Sequence, residues 1–219
     1  QGLMGPFFER IGKALANDGY EVSKVNFNGG DNFFWRLPGG INYRGTLQDW
    51  PAFLKNLIQE RGITDVLLFG DCRVHHMAAA DVCRALHVPL HVFEEGYLRP
   101  DWVTLELGGV NGHSSLPRDP QYYQVEASLL PPEPAHSTVP SSFRTRAYQG
   151  IAYNTADLLT RWYYPYWTNH RPWHPVTEGV GWLKRLSRRK ASAARTEETL
   201  SRLTASKAPY MLFPLQLDT

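Results

Sequence analysis

Thr64-Asp65-Val66-Leu67-Leu68-Phe69-Gly70-Asp71 is the stretch that decides how this chain is read. Val66 to Phe69 is apolar without a break. A strand covered on one face alternates apolar and polar residues; an unbroken run suits a strand covered on both faces of a parallel sheet. Gly70-Asp71 interrupts it, and the spacing then predicts a helix over about 73–86. His87-Val88-Pro89-Leu90-His91-Val92-Phe93 follows as the next strand. Strand, helix and strand joined by short turns make a βαβ unit.

The same alternation runs upstream. Residues 6–18 read as a helix, with Pro6 at its first position, Phe8, Ile11 and Leu15 on one face, and Gly19 as its stop. Val22, Val25 and Phe27 mark a strand over 20–27, and the paired glycines of 28–45 read as one long loop. A second helix is expected over 47–61, with Thr46 as N-cap and Trp50, Phe53, Leu54, Leu57 and Ile58 as its buried stripe. The fold class expected is α/β, a doubly wound parallel Rossmann-like sheet.

Composition narrows the function classes. The chain has 219 residues, 42% hydrophobic and 20% charged, with a net charge of +2. It can bury a sizeable core, and long-range disorder is excluded. So even a balance argues against a nucleic-acid partner. No run of ~18 apolar residues is present to span a membrane. Cys72 and Cys83 have no metal-ligand spacing and read as small buried hydrophobes. Aromatics are dense, at 7 Trp, 11 Tyr and 10 Phe, which suits sugar and lipid contact as well as a core.

In a doubly wound sheet the site lies beyond the C-terminal ends of the strands. Three segments fall there. Phe93-Glu94-Glu95-Gly96-Tyr97-Leu98-Arg99-Pro100-Asp101-Trp102 is the sharpest: two adjacent carboxylates at a strand end are costly unless partnered or used. Either could be a general base for a sugar hydroxyl, with Gly96 allowing a tight turn, Arg99 holding an anion, and Tyr97 or Trp102 stacking on a sugar. A structural corner with a Glu paired to Arg99 is the plainer reading. In Phe69-Gly70-Asp71-Cys72-Arg73-Val74-His75-His76, Asp71 is placed to cap a helix, and Arg73 at its N-terminus would attract an anion. His75 and His76 point ~100° apart on a helix and cannot chelate one metal together, so no metal is expected. Asn26-Phe27-Asn28-Gly29-Gly30-Asp31 could set Asn28, Gly29 and Asp31 against a ligand, or make a plain turn. If a strand precedes Gln1, Gly5 in the opening loop joins them. That loop lacks both the P-loop lysine and the dinucleotide spacing.

Beyond residue 108 the regularity weakens. The prolines of 127–146 suggest an extended segment, helix resumes over about 143–163, and a further helix is expected over 177–206. Residues 162–175 are aromatic and basic. Lys184, Arg185, Arg188, Arg189 and Lys190 then place five positive charges in seven residues. That run is either a solvated face or a lure to an anionic membrane, at ~1 kcal/mol per charge. Both ends look cut, with a strand expected before Gln1 and much of a domain after Thr219.

QGLMGPFF, VNFNGGD, Tyr43-Arg44-Gly45, LLFGDCR, VFEEGYLRPDWVTLE, GGVNG and LPRDP together resemble the bacterial capsule polysaccharide biosynthesis and export proteins of the KpsS type. The likeness is dense over 1–123 and resumes at FPLQLDT. It implies a retaining β-Kdo glycosyltransferase with two domains similar to the GT-B fold, of which 1–126 is the acceptor-side domain. Residues 127–207 would be the connection and 208–219 the first strand of a nucleotide-sugar domain. The implied donor is CMP-Kdo, a substrate rather than a cofactor, and the implied acceptor is a phosphatidylglycerol-type lipid. The implied place is the cytoplasmic face of the inner membrane, beside the capsule export transporter and a sister Kdo transferase. Glu94, Glu95 and Gly96 match an acidic-acidic-Gly element that supplies the acceptor's base in bacterial sialyltransferases. Retention by double displacement also needs a carboxylate nucleophile, for which the resemblance points to Asp218. His174-Pro175 matches a nucleotide-binding dipeptide but stands before the domain that carries it. The rival reading is a non-catalytic assembly protein that couples export to the membrane through the 162–190 flank. A nucleotide-sugar epimerase of the same architecture is a third.

Overall fold

The computed structural model describes residues 4–96, 102–131, 142–168, 175–206 and 211. The chain divides into two compact units, Gln1–Thr168 and Asn169–Thr219.

The first unit alternates helix and strand as α1 (Phe7–Asn17), β1 (Lys24–Asn26), α2 (Gly29–Phe33), β2 (Gly40–Asn42), α3 (Trp50–Arg61), β3 (Val66–Phe69), α4 (Val74–Leu86), β4 (Leu90–Glu95) and β5 (Val103–Leu107). A 3-10 turn at Asn111–His113, α5 (Pro120–Leu129) and α6 (Phe143–Leu159) follow. β1 pairs in parallel with β2, and β3 with β4 in the register Val66↔Leu90 to Phe69↔Phe93.

The chain is α/β, but the expected sheet needs three corrections. β5 runs antiparallel to β4, pairing Glu94↔Thr104 and Glu95↔Val103. The connection between them is short and closed by a bond from the Gly96 N–H to the Trp102 carbonyl at 2.9 Å. A parallel return would need a dozen or more residues. The long loop of 28–45 holds α2 and β2, because the Asn28 side chain caps α2 by accepting from the Asp31 N–H at 2.8 Å. Finally, the hydrogen-bonded strands form two sheets, β1-β2 and β3-β4-β5. Between the free edges of β1 and β3 lies a largely apolar cavity of about 590 Å3, bordered by Ile11, Val25, Leu57, Val66, Leu67 and Leu68.

The core explains much of the aromatic excess. Phe27, Tyr43, Trp50, Ile58, Val92 and Trp167 are all buried in one cluster. The Phe27 ring lies 4.8 Å from Trp50, 4.6 Å from His75 and 6.3 Å from Trp167, centroid to centroid. The Trp50 indole N–H donates to the His75 carbonyl at 2.8 Å, so α3 and α4 are joined by a bond as well as by packing. Burying a side chain of this size contributes about 3 kcal/mol or more. The 164–167 aromatics split: Tyr164 and Trp167 are core, while Tyr166 and the neighbouring Trp162 are exposed.

His75 and His76 sit within this packing, and burial pushes their imidazoles down to about 4 and about 3. Both values lie below those of the unfolded chain, near 6.5. Their contribution is therefore fully present above pH 6.5 and is lost as pH falls towards 4. Equilibrium unfolding is expected to show stability dropping across this window by up to about 1.4 kcal/mol per pH unit for each histidine. A flat profile between pH 6.5 and 4.5 would contradict this placement.

In the second unit, α7 (Pro175–Ala205) is a 31-residue helix close to the expected bounds. Among its described side chains the basic run at 184–190 is exposed, and Arg185 lies over the Trp182 ring at 5.5 Å. No helix among the described residues is long and apolar enough to cross a membrane.

Candidate functional site at the ends of β3 and β4

β3 and β4 deliver their C-terminal residues side by side. Gly70 leaves β3 with φ +68°, which favours glycine, and its N–H donates to the Phe93 carbonyl at 2.8 Å. A β-carbon on Gly70 would sit 3.6 Å from Glu94 Oε2, so the Glu94 carboxylate lies over this turn. Glu94 Oε1 accepts from the Glu95 N–H at 2.9 Å, which fixes the carboxylate and leaves Oε2 towards Gly70. Glu94 is half-buried; Glu95 is exposed.

Asp71 is the best-tied group here. It does not cap α4, whose N-cap position is Arg73 with no side-chain cap bond. Instead its Oδ2 accepts from the Val110 N–H at 3.0 Å and meets His113 Nδ1 at 3.1 Å, while Oδ1 accepts from the Cys72 thiol at 3.2 Å. Burial works to raise the Asp71 pKa, but the bonds from Val110, Cys72 and His113 together hold it below the usual carboxylate range. The Cys72 thiol is pushed up, first by its bond to Asp71 and then by burial and the charges of Asp71 and Glu94. Cys72 is thus a poor nucleophile. One ligand atom each from Asp71, Cys72 and His113 lies within 4.8 Å of the others, so these residues could approach a cation, although here they bond to one another.

The structure gathers Asp71, Arg73, Glu94, Glu95 and Gly96 from the sequence candidates. Gly96 packs its bare Cα against the Trp102 backbone, where a β-carbon would overlap the carbonyl. The other described candidates lie elsewhere. Asn28 and Asp31 are 1% and 2% exposed beneath α6. There the Asn28 amide donates to the Tyr153 hydroxyl at 2.7 Å, Tyr153 donates to Asp31 Oδ1 at 3.3 Å, and the Phe27 N–H donates to Asp31 Oδ2 at 3.1 Å. Burial first, then the Asp31 charge, pushes the Tyr153 phenol well above its usual value. Gly29 and Gly30 lie against Ala156 and Tyr153 of α6 and Thr160 at its C-cap. Gly5, at φ +140°, faces the Gln149 side chain of α6. Tyr97, Arg99, Asp101, Asp218 and the His174-Pro175 pair lie outside the described residues or side chains.

Sequence reasoning missed His113, Val110 and Glu106. Glu106 on β5 is buried, with Oε2 accepting from the Ser114 hydroxyl and Oε1 unpartnered among the described residues. The available signal was Gly108-Gly109-Val110-Asn111-Gly112-His113, a glycine-rich turn straight after a strand.

A family model described as capsule polysaccharide biosynthesis protein matches residues 64–219, more than half the chain and including this whole site. The chain belongs to that family. It is 34% identical over 203 residues to the capsule polysaccharide export protein KpsS of Escherichia coli, covering 93% of this chain and 52% of that protein. It is 31% identical over 175 residues to the capsule polysaccharide modification protein LipB of Neisseria meningitidis serogroup A, covering 78% of this chain and 42% of LipB. LipB of serogroup B matches to the same extent. The chain therefore spans about half the length of the curated relatives it matches. No solved structure matches it.

Proposed function

We propose that this capsule-family chain forms the acceptor-side half of a retaining glycosyltransferase that moves Kdo from CMP-Kdo onto a lipid-linked acceptor. The observation that carries the reading is the Glu94 carboxylate held over Gly70 beside Asp71, at the shared end of two parallel strands. A fixed carboxylate with one oxygen unpartnered among the described residues suits a general base that takes the acceptor hydroxyl's proton. The acidic donor sugar asks for cationic or N–H donors. Arg73 and the N-terminus of α4 are the described groups of that kind nearby, and Arg99 is a further candidate from the sequence. The carboxylate nucleophile and the cytidine monophosphate subsite belong, in this reading, to the domain that Asp218 opens. The acceptor is a phosphatidylglycerol-type lipid at the cytoplasmic membrane surface, and the export transporter and a sister Kdo transferase are the expected neighbours.

The test is mass spectrometry of products from the full-length protein with CMP-Kdo and short-chain phosphatidylglycerol. A mass increase of one Kdo on the lipid is expected. If donor is neither hydrolysed nor transferred under conditions where the protein is folded, the non-catalytic assembly reading replaces this one. The exposed basic run of α7 is the feature that reading would rest on.

A further inference from the structure

We infer that His113 is an acceptor-binding residue: Asp71 orients its ring so that Nε2 takes a hydrogen bond from a hydroxyl of the incoming acceptor. The role assigned to that hydroxyl rests on the transferase reading above.

The tautomer follows from the bonds. Asp71 Oδ2 accepts from the Val110 N–H. An ionised carboxylate can only accept, so the 3.1 Å contact to His113 requires Nδ1 to carry the proton. In the neutral ring Nε2 then holds a lone pair. The side chain is 65% exposed, while Asp71's is 7% exposed. A buried anchor thus holds an open ring.

The backbone is arranged for the same contact. Val110 is 1% exposed, and the His113 N–H donates to its carbonyl at 3.0 Å. A β-carbon on Gly109 would lie 2.7 Å from His113 Cβ and 3.3 Å from Asp71 Oδ2, so glycine is what lets the pair close. On the other side Ser114 is tied to the buried Glu106. An exposed side chain normally keeps its rotamer freedom; this one is fixed from both flanks.

The surroundings select the ligand. Asp71 meets the ring at Nδ1, Glu94 lies at the adjacent strand end, and Cys72 is held as a thiol that already donates to Asp71. Arg73, at the start of α4, is a described cation of this neighbourhood. Carboxylates and an imidazole lone pair are acceptors. A ligand that meets the His113 Nε2 lone pair must supply a donor, which a hydroxyl does and a phosphate or a sugar carboxylate does not. Nε2 therefore suits a hydroxyl-bearing group, such as the acceptor's headgroup presents.

The full-length protein provides the test. In nitrogen-edited NMR of the imidazoles, His113 is expected as the Nδ1–H form, with its Nε2 resonance moving on addition of short-chain phosphatidylglycerol and not of phosphatidylcholine, whose headgroup lacks hydroxyls. In Asp71→Asn the amide can donate to Nδ1, and the proton is expected to move to Nε2. Steady-state kinetics should show His113→Ala raising the acceptor KM about 5- to 10-fold, the size of one neutral hydrogen bond. The CMP-Kdo KM should stay within about twofold. A purely structural role would shift both KM values or the melting temperature instead, and would overturn the inference. So would an Nε2–H tautomer in the wild type, or stoichiometric zinc bound through Nδ1 in chelator-treated protein reloaded with the metal alone. If the wild type transfers no Kdo, the transferase reading fails on its own, and the tautomer and lipid-induced shift still decide the role of His113.

Discussion

Glu94→Gln in the full-length protein is expected to lower the rate of Kdo transfer by about 10²- to 10⁴-fold, the range a positioned general base contributes. The substitution keeps size and one acceptor oxygen, so the bond from the Glu95 N–H to the side chain can persist and the strand end should hold its shape. What is lost is the ability to take a proton. Glu95→Gln should do less, because Glu95 is exposed, whereas Glu94 is half-buried with an oxygen turned towards Gly70. Initial rates with CMP-Kdo and short-chain phosphatidylglycerol, together with melting temperatures, separate lost chemistry from lost structure. Full activity in both variants would sink the assignment of this strand end, whatever else the protein does.

The sequence made Glu94 visible because its signal is local: two acids and a glycine closing an apolar strand. The β3–α4–β4 unit was legible for the same reason, since its periodicity and turn residues are written within thirty positions. The failures share a cause. Asp71 looked like a helix cap, but its partner Val110 is 39 residues away and His113 is 42. Helix-capping rules describe the next three residues only, so a long-range partner that competes for the same carboxylate is invisible to them. β5 was not expected as a strand at all, and the all-parallel sheet was inferred only by extending the pattern of the upstream strands. The short span from Gly96 to Trp102 was the available warning, since chain of that length can only turn back on itself. The aromatics misled through composition. Phe27, Tyr43, Trp50 and Trp167 are the right chemistry for sugar stacking, yet they pack on one another around His75. An aromatic's destination depends on what faces it, which spacing alone does not encode.

Asn28-Gly29-Gly30-Asp31 offers the sharpest test of that lesson, because its two readings predict opposite results. As a ligand loop, Gly29→Ala should leave stability nearly unchanged and weaken substrate binding. The packing predicts the reverse. A β-carbon on Gly29 would overlap the Ala156 carbonyl oxygen and the Thr160 hydroxyl, and the first of these is helix backbone that no rotamer change can move. The Thr160 hydroxyl is itself held by the same carbonyl at 2.7 Å, so it has no cheap alternative position. α2 must withdraw from α6, and the Asn28–Tyr153–Asp31 hydrogen bonds stretch with it. Those groups are buried, so each bond broken leaves a desolvated polar atom at a cost of about 1–3 kcal/mol. Overpacking adds about 1–3 kcal/mol. The variant is therefore expected to lose about 2–6 kcal/mol of unfolding free energy in denaturant titrations, while any folded fraction keeps the wild-type KM for both substrates. Gly30→Ala, whose β-carbon would meet the Tyr153 ring at 2.5 Å, should lose less, because a ring can tilt where a backbone carbonyl cannot. Wild-type stability with a raised KM in Gly29→Ala would return the motif to the ligand site. A stability loss ordered Gly29 above Gly30 would make it the joint that fixes α6 to the sheet and so frames the strand ends where the chemistry is proposed.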